Sequence, residues 1–336
     1  FLKYGNGAKE IGIVLTPRHI TRFAVEACGV STHDVVYDPT CGTGGFLVAA
    51  LDHVRRASSD QQFKTFKESK IFGVEQEAEV VALAIVNMIF RGDGKNNIVE
   101  GNCFQKNLER YFDDGKETAR YIKKAPDRER LPITRVFMNP PFALKTSDEK
   151  EYKFVDHALR QMEDGGLLFS VLPYSALVRP GSYKQWRLDL LRAHTLLSVV
   201  TFPPDLFYPV GVHTAGIFVK KGQPHPLQQN VLWIRALNDG LLKKKGKRLP
   251  SPKAKDDYAG ILGLVQNFLR NPTVPVPNVE QFHKACPIDT TDPLLELVPE
   301  NYLDQEPPTE EEILRGIDQV IRDSVAFLIH AGREGE

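Results

Sequence analysis

The tetrapeptide Asn139-Pro140-Pro141-Phe142 holds the residue types that most clearly suggest chemistry. It follows an apolar run, Val136-Phe137-Met138, that is typical of a buried strand. The prolines fix the backbone and remove N–H donors, so sheet pairing ends and the Pro140 carbonyl and the Asn139 amide oxygen are left as acceptors. Two converging acceptors can hold a planar amine by both protons, localise its lone pair and aim it at an electrophile.

Phe142 completes this prediction, because an aromatic ring can stack on the heterocycle that carries the amine. The exocyclic nitrogen of adenine is such an amine, and a base in a duplex reaches a pocket of this kind only when it is flipped out of the stack. An isolated tetrapeptide of this composition is equally typical of a simple proline turn. Both interpretations stay open at this point.

A glycine-rich segment, Asp38-Pro39-Thr40-Cys41-Gly42-Thr43-Gly44-Gly45-Phe46, joins a short predicted strand to a helix. Its glycines let the backbone approach a ligand closely, and free N–H groups at the helix start favour polar or anionic groups. The dinucleotide fingerprint needs a third glycine at position 47, which is Leu47. The segment therefore predicts a cofactor loop that does not serve a nicotinamide dinucleotide, with a tight turn as the alternative.

Two further polar residues follow predicted strands. Glu75 ends the second strand, where a carboxylate can accept hydrogen bonds from both hydroxyls of a ribose. Asn102 follows the third strand, with Cys103 after it, and its amide could meet an adenine edge or merely form a turn. The distance from Gly44 to Glu75 exceeds the usual spacing of about 20 residues, which predicts an insertion after the first helix.

These residues are positioned by an alternation of short apolar runs and helical stretches between residue 35 and about residue 220, the pattern of an α/β protein. The predicted strands are 35–38, 71–75, 98–101, 135–139, 167–172, 196–202 and 215–219, and the predicted helices start near Phe46 or span 78–90, 152–162 and 183–193. They predict a doubly wound, mainly parallel seven-stranded sheet, with ligands at the carboxyl ends of its strands.

Three regions are predicted. Residues 1–240 form the catalytic domain, and frequent prolines between Pro250 and Pro308 predict an irregular extension over 241–308. Thr309 and Glu312 form a capping box before an apolar stripe, so 309–336 is predicted as a closing helix that packs on its own domain or docks against a partner. The basic run at 243–248 predicts either phosphate contacts or a solvated loop.

Composition limits the function classes. With 42% hydrophobic and 26% charged residues, the 336-residue chain is neither disordered nor fibrous. Its 43 basic and 43 acidic residues cancel, so DNA contacts must come from local patches. The four cysteines form no C-x-x-C pair and the nine histidines show no ligand spacing, which predicts a reducing cytoplasm and no metal. No run is long enough to cross a membrane, and the start at Phe1 without a leader predicts a fragment that lacks a secretory signal.

Several of these motifs occur in an order that resembles a known family. The chain resembles the catalytic domain of N6-adenine DNA methyltransferases that use S-adenosylmethionine. The resemblance rests on six segments: Thr16-Pro17-Arg18-His19-Ile20, the glycine loop, Glu75, Asn139 to Phe142, 166–173 and 202–220. More narrowly, the chain is similar to the modification subunit of type I restriction-modification systems, in the gamma-class order. The resemblance implies a Rossmann-like methyltransferase fold and direct methyl transfer to N6 of a flipped adenine, without a covalent enzyme intermediate.

The resemblance also implies a role for each matching residue. Thr16 and Pro17 would flank the methionine part of S-adenosylmethionine, and its amino acid end would be held by Asp38, Thr40, Gly42, Gly44 and Phe46. Glu75 would bind the ribose of the cofactor and Asn102 its adenine. The target adenine would be held by Asn139, Pro140, Pro141 and Phe142. The implied partners are double-stranded DNA, a specificity subunit and a restriction or motor subunit. The helical N-terminal domain of that family is not represented in this chain.

Three alternatives remain beside this interpretation. A methyltransferase of RNA bases or of protein glutamine would also use Asn-Pro-Pro and an aromatic residue, although the Thr-Pro element favours DNA. A non-catalytic DNA-binding subunit could retain the fold. A nicotinamide dehydrogenase is disfavoured by Leu47. Cytosine C5 methylation, which needs a nucleophilic thiol, usually in a Pro-Cys pair, is excluded because the chain has no such pair.

Overall fold

The structure is a computed structural model that describes residues 15–92, 97–113, 116–122, 132–142, 150–207, 211–244 and 247–304, together with Leu314 and Ile317. The chain forms two compact units, Phe1–Leu303 and Asp304–Glu336. The closing helix predicted from Thr309 therefore lies outside the described residues, apart from Leu314 and Ile317, which are both helical.

The described helices are α1 (Arg18–Ala27), α2 (Gly45–Arg56), α3 (Asp60–Ser69), α4 (Ala78–Ile89), α5 (Glu151–Gln161), α6 (Tyr174–Val178), α7 (Ser182–Ala193) and α8 (Tyr258–Arg270), with 3-10 turns at Cys103–Gln105 and Pro299–Asn301. The strands are β1 (Val36–Asp38), β2 (Ile71–Glu75), β3 (Ile98–Glu100), β4 (Asn107–Asp113), β5 (Lys116–Ile122), β6 (Ile133–Met138), β7 (Met162–Pro173), β8 (Thr195–Thr201), β9 (Thr214–Lys220), β10 (Val231–Arg235), β11 (Leu241–Lys244), β12 (Lys247–Pro250) and β13 (His283–Cys286). None of the described helices combines the length and the apolar character that a membrane crossing requires.

Nine of these strands form one sheet in the order β13-β10-β8-β9-β7-β6-β1-β2-β3. The pairs among β3, β2, β1, β6 and β7 are parallel, and β9 runs antiparallel between β7 and β8. Pairs β4–β5 and β11–β12 are separate two-stranded hairpins. The seven predicted strands are all present, and the parallel half brings the carboxyl ends of β1, β2, β3 and β6 to one edge.

Helices cover both faces of the sheet because successive strand residues point to opposite sides. Val36 of β1 packs into the cluster formed with α1, α2 and α8, whereas Tyr37 packs into the cluster formed with α5 and α7. In β6, Phe137 belongs to the first cluster and Val136 to the second. The two clusters are the two hydrophobic layers of a doubly wound fold, as predicted.

The sheet extends beyond the prediction by β10 and β13. Four of the five β10 residues are buried, and β10 pairs in parallel with β8, but the preceding connection is rich in proline and glutamine. Strand β13 is short, only half-buried and antiparallel to β10. A short run without alternation in a proline-rich context does not stand out as a strand.

The prediction of irregular chain over 241–308 was wrong for a large part of that region. It contains the β11–β12 hairpin, the 13-residue helix α8 and β13. Helix α8 buries Ile261, Val265 and Phe268, one apolar face at helical spacing, in the same cluster as α1. The prolines flank this helix, from Pro250 to Pro252 and from Pro272 onward, so proline frequency over the whole region concealed it.

Candidate active site

The glycine loop joins β1 to α2 in a conformation that requires glycine. Gly42 and Gly44 have φ angles of +52° and +82°, in the left-handed region that side chains disfavour. The Cys41 amide donates to the Val74 carbonyl at 2.8 Å, and the Gly44 amide donates to the Cys41 carbonyl at 2.8 Å. A Cβ atom at Gly42 would meet no heavy atom within 4 Å. The loop is therefore held by backbone hydrogen bonds, and the space beside Gly42 is open to a ligand.

Asp38 lies beneath this loop at the end of β1 and is only 1% exposed. Burial raises the pKa of its carboxyl well above the usual value, the Thr40 amide at 3.0 Å opposes that rise, and the nearby Glu75 adds to it. Among the residues that the structure describes, no Lys, Arg or His forms an ion pair with Asp38. The carboxyl group therefore holds its proton more tightly than usual, and an incoming cation would stabilise the charged form.

Glu75 links the end of β2 to the glycine loop. Its Oε2 accepts a hydrogen bond from the Gly42 amide at 2.9 Å, and its Oε1 accepts from the amides of Gln76 at 2.7 Å and Glu77 at 3.0 Å. The residue is half-buried, and its Oε1 already accepts two amides, whereas its Oε2 accepts one and keeps a second lone pair. The carboxylate therefore orders the loop and retains acceptor capacity for a hydroxyl group at Oε2.

Two residues of the predicted cofactor set are engaged elsewhere. The Oδ1 atom of Asn102 accepts a hydrogen bond from the Phe104 amide at 2.9 Å and so caps a 3-10 turn, which leaves its NH₂ group to meet a ligand. Phe46 is 3% exposed, and its ring stacks on Phe137 in the core, with centroids 5.8 Å apart. The Phe46 ring therefore has a packing role, and the predicted part of Phe46 in cofactor binding would fall to its backbone at the start of α2.

Asn139 is oriented by a residue far away in sequence. Its Nδ2 donates to the Thr16 Oγ1 at 3.0 Å. Its Oδ1 is buried and has no hydrogen-bond partner within the described part of the chain. An unpaired buried acceptor costs about 1–3 kcal/mol, so among the described residues this atom is left available to a further donor. The Thr-Pro element and the Asn-Pro-Pro-Phe motif, which the sequence presents separately, thus form one site.

An aromatic contact lies next to this amide. The rings of Phe142 and Phe207 meet edge to face, with centroids 6.2 Å apart and an interplanar angle of 85°. Phe142 is half-buried, and Phe207 is buried in the loop that follows β8. Sequence reasoning did not single out Phe207, although Phe202-Pro203-Pro204 repeats the pattern of an apolar strand end followed by two prolines.

The buried cysteines are poor nucleophiles. Burial raises the pKa of the Cys28 and Cys103 thiols to about 12 and places that of Cys41, in the glycine loop, well above its usual value. A thiol in this state supplies almost no thiolate at neutral pH. Within the described ranges, no three His, Cys, Asp or Glu side chains are grouped as a metal site either. The site therefore offers hydrogen-bond acceptors and aromatic surface rather than a nucleophile.

Comparison with known proteins identifies the family. The sequence profile described as N-6 DNA Methylase matches residues 2–256. The chain belongs to this family. It is 33% identical over 252 residues to the type II restriction enzyme and methyltransferase RM.BcgI of Heyndrickxia coagulans, an alignment that covers 73% of this chain and 37% of that protein. It is 25% identical over 260 residues to the type I restriction enzyme EcoKI methylase subunit of Escherichia coli K12, which covers 71% and 46%.

Solved structures share the fold of this N-6 DNA methylase chain. The EcoKI M protein superposes with a TM-score of 0.60 at 22% identity, covering 80% of this chain and 56% of that one. A chain from a type I restriction-modification assembly superposes with a TM-score of 0.66 at 23% identity, covering 98% and 67%. The predicted methyltransferase fold is thereby confirmed. The chain spans less than half the length of the two curated relatives named above.

Proposed function

We propose that this chain transfers a methyl group from S-adenosylmethionine to N6 of a flipped adenine in double-stranded DNA, as the modification subunit of a type I restriction-modification system. The observation that carries the proposal is the Asn139 side chain, whose Nδ2 is fixed by Thr16 and whose buried Oδ1 lacks a partner in the described residues. Membership of the N-6 DNA methylase family supports the choice of an adenine amine as the group that Asn139 accepts.

Asn139 and Pro140 would act by position and charge rather than as bases. The Asn139 Oδ1 and the Pro140 carbonyl would accept hydrogen bonds from the two N6–H groups, which localises the nitrogen lone pair for attack on the methyl carbon. As the nitrogen–carbon bond forms, the methyl carbon would part from the sulfonium sulfur, which keeps the bonding electrons, and N6 would release one proton to water. An amide oxygen takes up no proton at neutral pH, so the role of Asn139 is to orient the amine and stabilise its developing positive charge. A preorganised hydrogen-bonding group of this kind contributes about 10²–10³-fold to the rate of a reaction.

The aromatic pair would receive the base. Phe142 is half-buried, so part of its ring remains available for stacking, while the edge contact with Phe207 fixes the plane in which that ring stands. Stacking of a base on an aromatic ring contributes about 1–3 kcal/mol, which offsets part of the cost of taking the base out of the duplex. Pro141, the exposed member of the motif, would lie at the entrance.

The residues at the ends of β1, β2 and β3 fit S-adenosylmethionine. This cofactor supplies an electrophilic methyl group on a sulfonium. The buried Asp38 carboxyl would pair with the ammonium of the amino acid end, and the Glu75 Oε2 would accept a ribose hydroxyl. The buried Thr40 Oγ1, which has no partner in the described residues, is available to the same amino acid end, above the open surface at Gly42.

The remaining members of the proposed set border this cofactor site. Thr16 and Pro17 would flank the methionine part, Gly44 would keep the loop backbone close to its amino acid end, and the NH₂ group of Asn102 would meet the adenine ring. Thr16 thus stands between the two halves of the site, since it also holds Asn139. The proposed methyl transfer would take place across this boundary.

We also infer protein partners. Relatives carry the description of methylase subunit, and this chain has no net charge with which to hold DNA by itself. A separate specificity subunit would then read the DNA sequence, and a restriction or motor subunit would complete the assembly. The predicted helix from Thr309 onward is the proposed docking element for such a partner.

The experiment that tests the function measures tritiated methyl transfer from S-adenosylmethionine to an unmethylated plasmid. The full-length protein is assayed with and without a candidate specificity subunit, and the labelled nucleosides are separated. The expected result is label in N6-methyladenine that depends on the subunit and is absent with Asn139→Ala. Label in RNA or protein of a lysate, with none in DNA, would overturn the proposal in favour of another amine or amide substrate.

A further inference from the structure

A network of ionisable side chains connects four segments beside the proposed target site. The His19 Nε2 lies 3.0 Å from the Asp239 Oδ2, and the Arg248 Nη2 lies 2.8 Å from the Asp239 Oδ1 and 3.4 Å from the Asp205 Oδ1. The Asp239 and Arg248 side chains are only 1% and 11% exposed. Burial alone would raise the pKa of Asp239, but its contacts with His19 and Arg248 outweigh burial and lower the pKa, which favours the charged carboxylate.

This network fastens the β11–β12 hairpin next to the residues that would hold the adenine. Arg248 belongs to β12, and its partner Asp205 lies two positions before Phe207, which contacts Phe142. His19 lies in the first turn of α1, three positions after Thr16. Because Asp239 and Arg248 at the centre of the network are buried and a hydrogen-bonded polar network stiffens the segments that it joins, the network holds the root of the hairpin near both sides of the proposed target site.

The register of the hairpin defines its two faces. Lys243 is paired with Arg248, Lys244 with Lys247, and Leu242 with Leu249. Paired residues share a face and neighbours alternate, so the backbone register places positions 242, 244, 247 and 249 on the face opposite Arg248. Arg248 is turned into the protein, whereas Leu242 and Leu249 are 48% and 47% exposed. The register therefore assigns two lysine positions to the same outer face as this exposed pair of leucines.

We propose that the outer face of the β11–β12 hairpin binds the phosphodiester backbone of the DNA next to the flipped adenine. The proposal rests on the function proposed above, since it names a contact for the same DNA substrate. Charge complementarity selects DNA as the occupant, because Lys244 and Lys247 belong to the densest basic run of a chain with no net charge. The leucine pair would pack against the sugars between neighbouring phosphates.

The test measures the salt dependence of DNA binding by the full-length protein. Fluorescence anisotropy with an unmethylated duplex of arbitrary sequence is recorded from about 50 to about 200 mM salt, the range over which phosphate contacts change affinity strongly. The double substitution Lys244→Gln and Lys247→Gln is expected to reduce the slope of log K against log salt by about 1.8, or roughly 0.9 for each phosphate contact. The affinity for S-adenosylmethionine should not change.

Two further variants make the result specific. Lys64→Gln with Lys67→Gln removes the same charge from α3, which leads into the amino end of β2 at the opposite edge of the sheet, and should leave the slope unchanged. Leu242→Ser with Leu249→Ser should weaken binding at every salt concentration without changing the slope, because no phosphate contact is lost. A slope that responds equally to the hairpin and α3 substitutions would show general charge attraction and overturn the proposal.

The remaining outcomes separate this proposal from the proposed function. If the wild-type protein methylates adenine in DNA but the hairpin substitutions leave its binding slope unchanged, the hairpin proposal is wrong and the function stands. If those substitutions instead release a co-purified protein subunit while DNA binding is retained, the face binds protein and the proposal is wrong. Absence of any DNA binding by the wild-type protein at the lowest salt, with no N6-methyladenine formed, would reject both.

Discussion

The ends of β1 and β2, which would hold the cofactor, differ from the end of β6, which would hold the target base, in how their polar groups are satisfied. In the cofactor half, the carboxylate of Glu75 accepts three backbone amides, and Asp38 accepts the amide of Thr40. In the target half, Asn139 has one fixed donor and one acceptor without a partner in the described residues.

This difference indicates how each half of the site, the cofactor half and the target half, is prepared to bind its ligand. The backbone of the cofactor half is ordered by hydrogen bonds to Glu75 and Asp38, so a ligand adds contacts, among them one to the buried Thr40 hydroxyl that has no partner in the described residues, to a loop that already has its shape. In the target half, a buried acceptor has no partner among the residues that the structure describes, and an acceptor left in that state costs about 1–3 kcal/mol, which a bound amine would recover. We expect substitutions in the target half to act on the rate of methyl transfer, and substitutions in the cofactor half to act on binding and stability.

The largest effect is expected for Asn139→Ala. Loss of the side-chain acceptor should lower kcat for DNA methylation by about 10²–10³-fold, because the amine is no longer oriented or its charge stabilised. The dissociation constant for S-adenosylmethionine, measured by calorimetry, should stay within error of the wild-type value. If the affinity for S-adenosylmethionine falls together with kcat, Asn139 also supports cofactor binding, and the proposed separation of the site into a cofactor half and a target half is wrong.

Asn139→Asp provides the matched control. The carboxylate keeps acceptor atoms at the same place, and the Thr16 hydroxyl can reverse its role and donate to one of them, so activity between the wild-type and alanine values is expected. If the aspartate variant is as inactive as the alanine variant, an acceptor at this place is not sufficient and the neutral amide itself is required.

Asp38→Asn tests the cofactor half, with a smaller effect. Hydrogen bonds to a charged partner contribute about 1.5–3 kcal/mol, so loss of the carboxylate should weaken S-adenosylmethionine binding by about 10- to 100-fold. Because burial raises the pKa of Asp38, the folded protein favours the protonated form, and the stability this contributes is lost as the pH rises from acid to neutral. The asparagine variant should therefore be more stable than the ligand-free wild type at neutral pH.

Thermal unfolding without cofactor at pH 5 and pH 8 measures this effect. The gain in Tm of Asp38→Asn over the wild type should be larger at pH 8, where the wild-type carboxyl is more often charged. For the same reason, cofactor affinity of the wild type should increase with pH, whereas that of the variant should not. A variant that is less stable than the wild type at both pH values would show that the hydrogen bond from Thr40 dominates over burial.

The fold was largely predictable from the sequence, for a physical reason visible in its strands. Strands such as β6 and β8 are continuous apolar runs because both faces of the sheet are covered, and turn residues bound them. Helix α8 was concealed because the prolines on either side of it dominate the local composition. Strand β13 carries no signal of its own, since it exists through its pairing with β10.

The site was predictable in its residue types but not in its contacts. The chemistry of Asn139 and Glu75 follows from what their side chains can accept, and strand ends place both at one edge of the sheet. Three contacts depend on strand order and loop geometry instead. They are the hydrogen bond between Asn139 and Thr16, the ring contact between Phe207 and Phe142, and the hydrogen bond by which Asn102 caps a 3-10 turn. A single sequence carries no record of such long-range geometry.

The smallest effect is expected for Thr16→Val, which tests the boundary between the halves. Valine keeps the branched shape of threonine but removes the hydroxyl that accepts a hydrogen bond from the Asn139 Nδ2. The Asn139 amide is then free to rotate and to present its NH₂ group, instead of its oxygen, to the substrate amine. A neutral hydrogen bond contributes about 0.5–1.5 kcal/mol, which predicts a decrease in kcat of about 2- to 10-fold. Thr16→Ser, which retains the hydroxyl, should restore most of the rate. A rise in KM for S-adenosylmethionine at unchanged kcat would instead assign Thr16 to the cofactor half and leave Asn139 to hold its orientation through its own backbone and the following prolines.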